Sequence, residues 1–414
     1  PPPPPPPPFS SRRRHTRWRL VSRGLGDVYK RQLLYRLFKL LHIQKSDSYS
    51  IYRRIIFIVS IIWLPLLVLT IIEGNFYNTN LDLSFSYDLQ PYVKYLFVLP
   101  LLMASGVIID PLIRYVIESI GTSGILGESN KSKYYEAVKQ LAQGKNSNIA
   151  DLVIIIISYS VAITGVVNLE EFDVSSQFRH WTVFHSESGV QLTLAGWWFI
   201  MVSAPVLQII FYRWFWRFYL WGKFLFQVSR IKLDLQPTHP DLAGGLGILK
   251  NSENAFIIIF FALGAMLSVS LSADILYTDQ KLEQVIPIII AYIIISISVL
   301  TIPLFFFSHQ LAATKRWGNV LYGDLGYRLS RAFHEKWGNL EDETNGDKLL
   351  KTADSSTVCD YAEVYNATRG MRFIPISLRG LLLQAFALAV PFLPLVFTEH
   401  SPIEILKTIL QSLI

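Results

Sequence analysis

The sequence is poor in the residues that usually carry chemistry. One cysteine, Cys359, stands in 414 residues, which excludes an internal disulfide framework and a four-cysteine zinc site. Charged residues make up only 17% of the chain against 51% hydrophobic and 14% aromatic, a balance foreign to an ordinary soluble domain. The middles of its apolar runs hold no ionisable side chain and no histidine. The first absence weakens a proton-coupled pump or voltage sensor, and the second excludes a haem held between helices. Neither a GxGxxG turn after a strand nor a Walker A loop is present, so no nucleotide fingerprint can be read.

Basic residues are also unevenly placed. Residues 1–32 hold eight Lys/Arg against Asp27 alone, which accounts for the whole net charge of +7. This leader opens with eight prolines and continues FSSRRRHTRWRLVSRGLGDVYKRQ, with no apolar core or small-residue cleavage site of a secretory signal. It resembles a translated sequencing-adapter read-through and is set aside from the fold, which leaves a neutral body.

What the body does have is apolar runs of membrane length. Seven spans are expected: 55–72, 93–109, 152–169, 192–212, 255–273, 285–307 and 381–397. The segment 33–54 reads as a basic amphipathic surface helix. The polar connection 121–151 carries one short helix around Tyr134 to Ala142, and IEILKTILQSLI closes the chain as an amphipathic tail. After the fourth span, Trp214, Trp216, Tyr219 and Trp221 alternate with Arg213, Arg217 and Lys223, the mixture favoured at a bilayer interface. The expected class is therefore all-α, a polytopic membrane bundle of about seven helices, six to eight. Its divisions are a leader (1–32), a membrane domain with spans one to six (33–307), a helical cytosolic loop (308–375), and the seventh span with its tail (376–414).

Counting Lys/Arg on alternate sides orients the bundle. Residues 33–54, 110–151, 213–254 and 308–380 hold 26, and the intervening loops with the tail hold 4. The positive-inside rule then places the N-terminal side and residues 235–249 in the cytosol.

The most specific stretch is LQPTHPDLAGGLGIL, Leu235 to Leu249. In one reading His239 and Asp241 form a ligand pair, while Gly244, Gly245 and Gly247 let backbone amides approach an anion near a helix start. In the other, Thr238 caps a helix, Pro240 occupies its first turn, and Asp241 complements the dipole. Ala243 and Gly247 would then make a small-residue helix contact. His180 and His185, five residues apart in an outer loop, give only a thin metal signal.

PTHPDLAGGLG, together with TADSSTVCDYAEVYNATRGMRFIPIS (Thr352 to Ser377), resembles segments of a group of bacterial multi-pass membrane proteins of unassigned activity. The resemblance implies a bacterial inner-membrane protein and supplies no catalytic residues. If the second segment folds onto the first, Arg369 and Arg372 flank His239 and Asp241 and favour an anionic ligand. The expected activity leans towards a small-solute or ion transporter or channel. A ligand-sensing protein with a cytosolic anion pocket and a membrane-embedded enzyme are the alternatives. Expected partners are the bilayer, a small anionic ligand and further copies of the chain, with no cofactor, no metal and no nucleic acid.

Overall fold

A computed structural model describes residues 49–167, 180–186, 189–277, 280–338 and 352–399. The leader, most of the amphipathic segment 33–54 and the C-terminal tail lie outside them. The described chain is helical apart from one two-stranded hairpin. Seven helices are long and apolar enough to cross a membrane: α1 (Tyr49–Ile72), α2 (Leu89–Thr122), α4 (Asn148–Val167), α5 (Leu194–Ser229), α6 (Leu249–Tyr277), α7 (Leu282–Phe305) and α10 (Leu378–Phe397). Between them lie α3 (Lys131–Lys145), α8 (Ser308–Trp337) and α9 (Asp354–Gly370). The aromatic segment expected at the interface continues α5 without a break, with Arg217 over the Trp214 ring at 4.0 Å.

Two compact units divide the chain: residues 1–88 with 138–220, and 89–137 with 221–414. In the first, β1 (Val183–Ser186) and β2 (Gly189–Leu192) pair antiparallel with Val183 opposite Leu192. The hairpin leads into α5, whose first amides need acceptors because no preceding turn supplies them. Thr193 Oγ1 accepts from the Gly196 amide at 2.9 Å, and the Glu73 carboxylate accepts from Leu194 at 2.6 Å and Ala195 at 3.2 Å. Negative charge there also suits the helix dipole. Trp181, buried beside this junction, meets Phe85 edge-on at 5.0 Å and donates its indole N–H to Asp88 at 2.9 Å. Its burial thus combines apolar area with a satisfied polar handle.

The second unit is built around α6, which is buried along nearly its whole length. It packs against α2, α7 and α10. Gly264 lets Pro391, Tyr292 and Phe392 come within 3.3–3.4 Å of the space a side chain would need. Leu271, Val285, Phe392 and Leu395 close the core beyond it. Two buried serines within α6 bond back to their own helix, Ser252 to Leu249 and Ser272 to Val269, which satisfies those hydroxyls in an apolar setting.

The α8 and α9 helices pair side by side. The Tyr361 hydroxyl donates to the Tyr322 carbonyl, and Asp354 takes hydrogens from Lys336 at 2.7 Å and Trp337 at 2.9 Å. Gly326 and Gly318 leave room for Tyr361 and for Thr368 with Pro237. Pro237 belongs to the stretch before α6, so the paired helices are anchored to that loop.

Candidate functional site

Residues 235–248 form consecutive tight turns, and α6 begins only at Leu249. This corrects the capping expectation: Thr238 and Pro240 start no helix, and Ala243 and Gly247 make no small-residue helix contact. The loop is instead organised around one side chain. Asp241 Oδ1 accepts from the amides of Ala243 at 2.8 Å and Gly245 at 3.1 Å, while Oδ2 accepts from Gly247 at 2.8 Å. His239 Nδ1 lies 2.8 Å from Oδ1. A carboxylate has no hydrogen to give, so Nδ1 carries it. The Asp241 amide approaches the same nitrogen at the longer 3.3 Å, a contact that we read as secondary.

Burial raises the cost of charging Asp241. The amides of Ala243, Gly247 and Gly245 and the His239 ring outweigh that cost and hold its carboxyl below the ordinary carboxylate value. Hydrogen bonds to the ionised form have this effect.

The glycines have separate reasons to be glycine. Gly244 and Gly245 have φ of 64° and 98°, the left-handed region where a Cβ is costly. At Gly247 an added Cβ would stand 2.9 Å from the Asp241 carboxylate. Leu242 takes a φ of 55° without being glycine, a conformation that persists only when its surroundings fix it. They do, because the Leu242 carbonyl accepts from the Arg372 amide at 2.8 Å.

That bond answers the expectation that Thr352 to Ser377 folds onto this loop. The two stretches meet through Arg372 N–H on Leu242 and through Met371, whose Cε lies 3.1 Å from the Cβ position of Gly244. Arg369 stands in the last turn of α9 and is exposed, and Arg372 is half-buried. Among the described contacts, neither guanidinium touches His239 or Asp241. The amides offered in the sequence to an outside anion are given to the Asp241 carboxylate, the loop's own anion.

Sequence reading missed Glu253. With α6 starting at Leu249 rather than Ala255, Glu253 sits inside a membrane-length helix, 4% exposed, and neither carboxylate oxygen has a hydrogen-bond partner. Gln384 of α10 and Lys250 lie beside it. Gln384 is 2% exposed and gives one of its two amide hydrogens to Asn254 at 3.3 Å, with its Oε1 unpartnered. The run KNSEN reads as loop, whereas α6 starts six residues earlier than expected, at Leu249. Asp110 is likewise buried in α2.

Before the β-hairpin, His180 Nδ1 lies 2.8 Å from Thr182 Oγ1 and its Nε2 is 3.4 Å from Asp88. The side chain of His185 lies outside the described residues. Among the described residues, no three His, Cys, Asp or Glu side chains are grouped to hold a metal ion.

The fold defines the class: an integral, multi-pass α-helical membrane protein. No family model, curated protein or solved structure matches the chain.

Proposed function

We propose that the chain is a transporter or channel for a small solute or an ion, seated in a bacterial inner membrane. One repeated device carries this reading. Each of the two longest spans, α2 and α5, opens with four or five α-helical residues, relaxes into a π-helical turn (Val93–Val98, Phe199–Ser203), and resumes α-helix just before a proline. The residue preceding each proline bonds five residues back, Leu99 to the Lys94 carbonyl and Ala204 to the Phe199 carbonyl.

The cause is local. Pro100 and Pro205 lack an N–H and would press on the carbonyls of Leu96 and Met201 in a regular helix, and the wider turn relieves both. A π-turn leaves polar backbone inside an apolar helix, which membranes tolerate where it is buried in protein or lines a cavity. Interrupted spans at corresponding places in two halves of a chain are the sequence-level pointer to a transport site. The span-loop-span order that precedes each proline is also shared, α1 then α2 and α4 then α5. Buried polar atoms beside the second break, Trp198 Nε1 and Gln208 Oε1, have no hydrogen-bond partner in the described structure and suit a wet or solute-bearing path.

Flux into liposomes holding the purified full chain tests the proposal, read by light scattering for small neutral solutes and by ion-sensitive dyes for cations and anions. Flux above that of protein-free liposomes is expected for at least one class. Pro100→Ala and Pro205→Ala, which let the helix close to regular α geometry, are expected to lower it several-fold. Flux equal to protein-free liposomes for every class would remove the reading.

A further inference from the structure

We propose that Glu253, with Gln384 as its acceptor, is a proton-binding site inside the membrane domain. Its purpose rests on the transport reading, as the place where a driving proton is carried, but its existence does not.

A buried carboxylate without donors is among the most costly groups a membrane helix can hold. Here both Glu253 oxygens are unpartnered, and the nearest amide, on Gln384, gives one of its two hydrogens to Asn254 and leaves a bare oxygen of its own. Three unpartnered acceptors therefore gather around the one remaining hydrogen of the Gln384 amide. One proton on Glu253 changes that: the carboxyl becomes a neutral O–H donor, and Gln384 Oε1, buried to 2% exposure, is an acceptor beside it. A metal cation fits less well. Hard cations take six or more oxygens, whereas three are unpartnered here, and the Lys250 ammonium beside them repels positive charge.

Lys250 does not replace the proton, since it makes no ion pair with Glu253. The other charged groups on the helices packed against α6 are Lys94, Asp110, Arg114 and Glu118 on α2, Glu283 on α7 and Arg379 on α10. Lys94 bonds Gln90 at 2.5 Å, and the Tyr292 hydroxyl of α7 donates to the Phe260 carbonyl, so those hydrogens are directed elsewhere. The site also has a route by which it could respond to its surroundings. Glu253 stands four residues after Leu249, where the Asp241 loop ends, and Gln384 stands one turn after Gly380, whose Cβ position lies 3.5 Å from Lys250 Cε.

The test uses N,N′-dicyclohexylcarbodiimide on the purified full chain in detergent. Its C=N bond adds the carboxyl O–H, oxygen to carbon and hydrogen to nitrogen, so that only the protonated acid reacts and the adduct is counted by peptide mass spectrometry. We expect an adduct at Glu253 whose rate falls about tenfold per pH unit above a midpoint, as a one-proton titration requires. Gln384→Leu, which removes both the Oε1 acceptor of the protonated form and the amide hydrogens beside the ionised form, is expected to move that midpoint. No adduct at Glu253 between about pH 5 and 9, or a rate independent of pH across that range, overturns the proposal. An unmoved midpoint in Gln384→Leu removes Gln384 from it. The measurement on the unaltered chain needs no variant to fold, and it needs no flux. A chain that titrates at Glu253 but moves nothing in liposomes keeps the site and loses the transport reading, and the reverse result loses the site alone.

Discussion

Asp241→Ala is expected to cost about 2–4 kcal/mol of stability, because three backbone amides lose a charged acceptor in a half-buried loop at once. Asp241→Asn is expected to do nearly as badly. Its carbonyl can replace one oxygen, but its NH2 then points at amide donors that need an acceptor. His239→Ala loses one partner of the same carboxylate and leaves the three amides satisfied, so its effect is the smallest of the three.

The pH dependence has a fixed sign. Asp241 is held below its ordinary value in the folded state, so its contribution is fully present above the unfolded pKa of about 3.9 and is lost as pH falls through the folded value. Unfolding of the three variants in detergent at neutral and at acid pH checks both points. Asp241→Asn as stable as the unaltered chain at neutral pH would show that the amides find other acceptors.

Gly196→Ala is expected to be worse than its single methyl suggests. The added Cβ would stand 2.2 Å from the Thr182 carbonyl oxygen, a backbone atom already accepting from the Thr193 amide at 3.0 Å. Neither the hairpin nor the start of α5 can yield without breaking the capping bonds between them, so a loss of about 3 kcal/mol or more follows. Gly165→Ala, in a membrane helix with open space around it, is the matched control and is expected to be neutral or slightly stabilising. Melting temperatures of the two variants in the same detergent compare them directly. Equal behaviour would mean that the junction at Gly196 is looser than its geometry.

The spans were legible in the sequence because burial in lipid demands long apolar runs, and all seven expected ones coincide with helices. The pairing of the Leu235 loop with the Thr352 to Ser377 segment was also legible, since two specific polar stretches in an otherwise apolar chain had few other partners. The internal logic of the loop was not. A Thr-x-Pro-Asp run carries the same signals whether Asp241 caps a helix or gathers the amides of its own turns, and only the positive φ at Leu242, Gly244 and Gly245 decides between them. Glu253 was hidden for a related reason: polar neighbours made it look like loop, while the tertiary packing of α6 on α2 and α10 drew it into the helix. The π-turns before Pro100 and Pro205 have no signature beyond the prolines, which occur in unbroken helices too, as Pro65 does in α1.

The chain's only cysteine reports directly on the seven-span arrangement that puts the Asp241 loop and the paired α8 and α9 helices on one side of the membrane. Cys359 is exposed on α9. A membrane-impermeant maleimide is expected to react with it in inside-out vesicles and not in sealed right-side-out ones. A cysteine in place of the exposed Phe184 on the β-hairpin, three spans away, in a chain carrying Cys359→Ser, is expected to show the opposite pattern. Reaction of both from the same side would contradict the seven-span topology.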